Sequence, residues 1–303
     1  MSKTLIISLV FSLVSILAQT YLATPNFTKI ASLEILCITK ITKEDMAILL
    51  KDADPVQLEL LSKDPEGKKK IAENLSQLLA VACQGRKEGI TNARNIKREL
   101  ENIRMLLTAT IYDKKINSGK SPMQPFRNIT KEQLDKFWNN KSHEAEFQET
   151  FISKLALAKE SGNISKDKEL TQDEIKLAKD NYARIAIYEA EAQAKASELG
   201  EDFKRELESQ IKLQQAQFLS EIYARRVLAE KTKVTDEEIR LYIAKHPEFD
   251  TKAQKTKALK IKEYVRTKLE EEKQKKILDG ILGRNPVEIE DFEVPKVSVK
   301  SKQ

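Results

Sequence analysis

Apolar residues recur every three or four positions over long stretches of this chain, and that rhythm restricts the fold more than any other feature. Ile71, Leu75, Leu78, Leu79, Ala82 and Cys83 form one such series; Ile96, Leu100, Ile103, Leu107 and Ile111 form the next. This spacing puts side chains on one face of an α-helix. The starts are punctuated. Thr130, Thr171 and Thr235 are each followed three residues later by Gln133, Glu174 and Glu238, the reciprocal capping pattern of a helix N-terminus. Thr42 with Asp45 is a weaker relative of it. Asp64-Pro65 opens a further helix, because proline at the first helical position loses no needed hydrogen bond. With 8 Gly and 8 Pro in 303 residues, the chain lacks the turns of a β-sandwich. The expected fold is therefore mostly all-α, a multi-helix bundle of long amphipathic helices. The four threonine starts follow no fixed period, so they are helix boundaries and not a solenoid repeat.

Later segments continue the pattern. Gly89 is expected to close the second helix by supplying a positive φ. Residues 117–128, with two prolines, read as a loop between a helical region over 24–120 and a second over 121–251. Leu134, Phe137 and Trp138 share a helix, and Phe147, Phe151 and Leu155 mark another that stops at Ser161-Gly162. A long helix from Thr171 to Leu199 is closed by Gly200. Its stripe runs through Ile175, Ala178, Tyr182, Ile185 and Ala186, is interrupted by Glu189 and resumes at Ala192. The following helix, from Asp202 to about Lys231, carries Phe203, Leu207, Ile211, Phe218 and Ile222. His246-Pro247 ends the helix begun at Thr235. Residues 252–279 read as a last, highly charged helix ended by Gly280 and Gly283. Ser32–Ile41 and Val287, Ile289 and Phe292 read as short strands, with residues 33–38 pairing to the latter so that residues 252–294 return to the module. A basic tail follows over 295–303.

Lys3 and the uncharged run from Thr4 to Leu17 resemble an export signal. The run is short of the ~20 residues a helix needs to cross a bilayer. Residues 1–23 are read as a cleaved signal, with an uncleaved anchor as the alternative, and the expected location is the periplasm or cell envelope. Cys37 and Cys83 are read as small buried apolar residues; pairing in an oxidising compartment is the alternative. Residues 251–303 hold 14 Lys+Arg against 9 Asp+Glu, within a chain total of 53 against 47. This excess reads as a solvated helix face plus a tail, the alternative being a patch for an acidic partner.

The residues that carry chemistry are few. The two histidines, His143 and His246, stand at a polar helix start and before a proline, beside no nucleophile. No phosphate loop, dinucleotide fingerprint, HExxH or CxxC occurs. No catalytic, cofactor or metal residues are assigned and no ATP is implied. The basic segment 252–276 holds one aromatic, Tyr264, and several glutamates, which argues against nucleic acid.

Three stretches carry a resemblance. Ile41-Thr-Lys-Glu-Asp-Met follows a short strand. Asp64-Pro-Glu-Gly runs to Lys87-Glu-Gly-Ile90. Val234-Thr-Asp-Glu-Glu-Ile-Arg-Leu-Tyr-Ile-Ala-Lys-His-Pro-Glu-Phe249 is the most specific. Together they resemble the helical chaperone module of parvulin-type (SurA/PrsA-like) periplasmic foldases, over roughly residues 32–290. The isomerase domain that usually follows the last motif has no counterpart here. The resemblance implies an exported, ATP-independent chaperone that binds unfolded polypeptides, outer-membrane proteins among them, without catalysis of its own. The alternatives are a parvulin-family prolyl isomerase with an unrecognised site and a membrane-anchored helical adaptor. Phe147, Phe151, Tyr182, Phe203 and Phe218 are the candidate peptide-binding residues. Membrane contact is expected only through residues 4–23, if that segment stays uncleaved.

Overall fold

A computed structural model describes residues 37–118, 125–249 and 255–295. The export-like segment, residues 32–36 of the first proposed strand and residues 296–303 of the basic tail lie outside them. Among the described residues the fold is mostly helical, with one pair of two-residue strands. In chain order the elements are β1 (Lys40–Ile41), α1 (Lys43–Leu50), α2 (Pro55–Ser62), α3 (Pro65–Lys87), α4 (Arg94–Ile116), α5 (Lys131–Trp138), α6 (Lys141–Glu160), α7 (Gln172–Ala194), α8 (Ala196–Tyr223), α9 (Asp236–Lys245), α10 (Lys255–Arg284) and β2 (Glu288–Ile289). No described helix is long and apolar enough to cross a membrane.

The expected caps form. Thr42, Thr130, Thr171 and Thr235 each accept a hydrogen bond from the third helical N–H, and the side chain at that position accepts from the threonine N–H. Thr42–Asp45 is thus a complete capping box and not a weakened one: an Asp reaches back as a Glu does, its Oδ2 accepting from the Thr42 N–H at 3.1 Å.

Glycines end helices only where they leave the helical region. Gly89, at φ 81°, and Gly162, at φ 76°, do so. Gly280 and Gly283 do not, and α10 runs through both to Arg284, beyond the expected end. Ile277, Ile281 and Leu282 pack on α3 and the end of α8, so continuing the helix buries them. Pro286 is what stops it, by excluding the residue before it from helical geometry. Gly200 sits at φ 83°, ψ 172°, between a one-turn stub and the long arm of α8. That conformation is essentially open to glycine alone. Gly200→Ala is expected to cost about 1–3 kcal/mol, all of it backbone, since an added Cβ meets nothing within 4 Å. Urea denaturation measures it; an unchanged midpoint would refute the assignment.

α8 lies against α3 and α4, and α4 also packs on α6 and α7. The first core lies between α1, α2, α3, α4 and α8, where Met46, Leu50, Leu79, Ile96 and Leu219 are buried. A second gathers Met105, Tyr112, Phe126, Ile185, Tyr188 and Phe203. Residues on both sides of the 117–128 loop thus share a core. Phe126, within that loop, is buried with a left-handed backbone (φ 58°), rare for a bulky residue. Its ring meets Tyr188 edge-on at 5.3 Å, and Arg184 donates to the carbonyls of Phe126 and Ile129.

The segments on either side of the helical region do pair. β1 and β2 are parallel, with Lys40 opposite Glu288 and Ile41 opposite Ile289. Among the described residues the pairing falls at Lys40–Ile41, and residues 33–36 of the expected partner lie outside them; Phe292, three residues past β2, is buried in the first core. Lys40 ion-pairs with Glu288 and Glu290 across the strands.

Cys37 and Cys83 form a disulfide, with Cα atoms 5.0 Å apart. Our reading of them as unpaired buried residues is therefore corrected. Periodicity placed Cys83 on the apolar stripe correctly, but only the β1–β2 pairing brings Cys37 to α3. Beside the bond, Asn285 donates to Gln84 and to the Ile281 carbonyl, and accepts from Lys87 at 2.7 Å. The end of α10 is thereby locked to α3.

Candidate functional site

The five aromatic residues expected to line a groove divide into two groups. Phe147 and Tyr182 are fully buried, and Phe203 is buried in the second core. Phe151 and Phe218 are half-buried. The groove assignment is therefore corrected for Phe147, Tyr182 and Phe203, whose surfaces are consumed by neighbouring helices. An apolar stripe marks the face that seeks cover and is silent on whether that cover is internal.

Phe147 and Tyr182 centre an aromatic cluster between α5, α6 and α7. Their rings meet edge-on at 5.1 Å, and Trp138 stacks on Tyr182 at 5.5 Å. Phe137 stacks on His143 at 3.9 Å. The His143 Nδ1 lies 2.8 Å from the Phe137 carbonyl, and the Tyr182 hydroxyl donates to the His143 carbonyl at 3.2 Å. Burial pushes the Tyr182 phenol far above its ordinary pKa. His143 therefore fastens α5 to α6. His246 stacks on Tyr242 at 4.1 Å and pairs with Glu248 at 2.9 Å; it contacts its neighbour's carboxylate, not the last helical carbonyls.

One flank of this cluster is open. Phe151 stacks on Phe147 at 5.3 Å and remains half-exposed, as does Leu155 one turn on. Ile152, on the same helix, is 63 % exposed; Leu177 of α7, also exposed, lies off the Ala178–Tyr182 face that meets α6. The opposite face of α6 is tied to α4 by charge: Glu149 pairs with Arg94 and Arg98, and Lys154 with Glu99. α6 thus has a salt-bridged inner face and an apolar flank with no cover from the described helices. Ile152 and Leu177 lie off the phase of their helices' apolar stripes, a signal present in the sequence.

A second exposed region lies at the turn between α9 and α10. Tyr242, His246, Phe249 and Tyr264 are in ring contact there. A shallow cleft between α3 and α10 is lined by Gln77, Glu271, Gln274, Lys275, Leu278, Asp279 and Leu282, its accessible surface mostly apolar between the charged and amide heads.

No protein-family model, curated protein or solved structure matches the chain.

Proposed function

We propose that this protein is an exported, ATP-independent chaperone that holds non-native polypeptide on the apolar flank of α6 and performs no catalysis of its own. The observation that carries this reading is the mostly exposed Ile152 beside the half-open Phe151 and Leu155 on one flank of α6. A non-native chain exposes apolar side chains without a fixed sequence. A surface of aliphatic and aromatic groups accepts them without sequence-reading hydrogen bonds. Rigid backing matters too, because an ordered surface loses less entropy on binding; here the buried Phe147–Tyr182 cluster supplies it. The Cys37–Cys83 bond fits an oxidising compartment and thus export. The resemblance of the 234–249 stretch to parvulin-type foldases points the same way.

Light scattering of a chemically unfolded membrane-barrel client, diluted into buffer with and without the chain, tests the proposal. Ile152→Ser is expected to reduce suppression of aggregation severalfold with melting unchanged, because the side chain is already mostly in water. Phe147→Ala is expected to lower stability by about 3–5 kcal/mol instead. Full suppression by the Ile152→Ser variant would refute this surface as the binding site. Absence of suppression by the wild-type chain would refute the function.

A further inference from the structure

α6 differs from its neighbours in what holds it to the fold. Of the five residues it buries, His143, Thr150 and Ser153 are polar, and only Phe147 and Leu157 are apolar. By contrast, seven of the eight residues that α8 buries are apolar. Thr150 is fully buried, and its hydroxyl has no hydrogen-bond partner among the described residues. An unsatisfied buried hydroxyl opposes closure of this face.

Charge does the fastening instead. Glu149 pairs with Arg94 at 2.7 Å and with Arg98, both on α4. Lys154 pairs with Glu99 of α4 at 3.3 Å. Near the start of the helix, Glu144 pairs with Lys179 of α7. At its end, Glu160 accepts two hydrogen bonds from Arg226, at 2.7 and 2.6 Å. Arg226 belongs to the π-helical turn Ala224–Leu228 that follows α8. In three of these four ties the carboxylate stands on α6, so protonation acts on one helix along its whole length. The other titratable or charged groups beside them are Glu101 of α4, Tyr182 of α7, Arg225 of the π-helical turn, and His143 and Glu146 on α6 itself.

Hydrogen bonds from these cations hold all three carboxyls below the ordinary carboxylate range: Arg94 and Arg98 act on Glu149, Lys179 on Glu144 and Arg226 on Glu160. A depressed folded pKa contributes stability that is present above the unfolded value of about 4.3 and is lost as pH falls through the folded value. A single half-exposed pair contributes little. Here three weaken together on a helix with two apolar anchors. Glu149 is moreover a partner of Arg98, a cation only 7 % exposed, whose burial is then less well compensated. Beneath α6 lie the rings of Tyr182 and Trp138, against which Phe147 packs at 5.1 and 6.1 Å.

We propose that α6 is an acid-released cover: protonation of Glu144, Glu149 and Glu160 detaches it, and the Phe147–Tyr182 cluster opens to non-native chain. For what binds there the proposal rests on the chaperone reading; the release itself does not.

Hydrogen exchange of the full chain between pH 7 and about pH 3, corrected for intrinsic rates, tests the release. Relative to α8, the α6 amides should lose protection by about tenfold or more while far-UV circular dichroism is retained. Emission of Trp138, the one tryptophan in the chain, should move to longer wavelength over the same range. Glu149→Gln/Glu160→Gln, uncharged at every pH, should show faster α6 exchange already at pH 7 with α8 unchanged. It should also suppress aggregation of an unfolded client better than wild type at pH 7. Loss of α6 and α8 protection in step as pH falls would overturn the proposal, as would wild-type α6 protection in the glutamine variant. Equal or weaker suppression by that variant, with wild type active, would overturn it too. Released α6 with no suppression by either protein would instead refute the chaperone reading and uphold the release.

Discussion

Arg104→Met should destabilise the fold by about 3–5 kcal/mol at pH 7, one of the largest effects of any single substitution outside the aromatic cluster. Glu189 of α7 is 1 % exposed, and Arg104 of α4 lies 2.7 Å from its carboxylate. The Gln193 amide donates to the same carboxylate at 2.9 Å. Burial nevertheless dominates and holds the Glu189 pKa above its ordinary value, with Arg104 opposing. A carboxyl whose folded pKa is raised is a liability once the solution is more alkaline than its unfolded pKa. Stability is fully present at acid pH and falls as pH rises towards the folded value. Removing Arg104 raises that folded value further. The variant's deficit is therefore greatest at neutral pH and shrinks as pH falls through the unfolded carboxyl's range of about 4, below which Glu189 is protonated in both states. Arg104→Met/Glu189→Leu should recover most of the loss, because an apolar pair in a buried site often matches an ion pair. Urea titrations at pH 7 and pH 4.5 read these outcomes. A deficit under 1 kcal/mol, or one independent of pH, would show that the pair does not bear on α4–α7 packing.

Loss of the Cys37–Cys83 disulfide should cost a comparable amount. The bond closes a loop with a sequence separation of 46. Loop-closure entropy for that length gives about 4 kcal/mol, and typical measured values are 2–4 kcal/mol. The bond also holds the segment leading into β1 against α3, next to the Asn285–Gln84–Lys87 contacts that secure α10. Cys37→Ala/Cys83→Ala should shift the denaturation midpoint to lower urea. Reductant should then have no further effect on that variant, while shifting the wild-type midpoint to match it. Identical wild-type curves with and without reductant would mean that the bond makes no contribution.

Much of the architecture was legible from local chemistry. Thr130, Thr171 and Thr235 opened helices because each cap is completed within three residues. Gly89, Gly162 and Gly200 broke helices because a left-handed backbone is a property of the residue itself. The failures share one character. Gly280 and Gly283 look like helix ends, yet the burial of Ile277 and Ile281 against α3 outweighs the modest cost of a helical glycine. Glu189 looks like an interruption of its stripe, and its partner, Arg104, lies in another helix far away in sequence.

The candidate site shows the same division. Periodicity placed Phe147, Tyr182 and Phe203 on apolar faces, and they are on apolar faces. That these faces are covered, while Ile152 beside Phe151 is not, depends on where α5, α7 and α8 come to rest. By itself the sequence determined which residues form helices, where most begin and which side of each avoids water, since those properties arise from neighbours within a few positions. The tertiary structure alone decided the Cys37–Cys83 bond, the Arg104–Glu189 pair, the β1–β2 register and which apolar surface remains open. Each of these requires two segments distant along the chain to meet, and hydrophobic burial is non-directional, so a stripe records the need for a partner without specifying it.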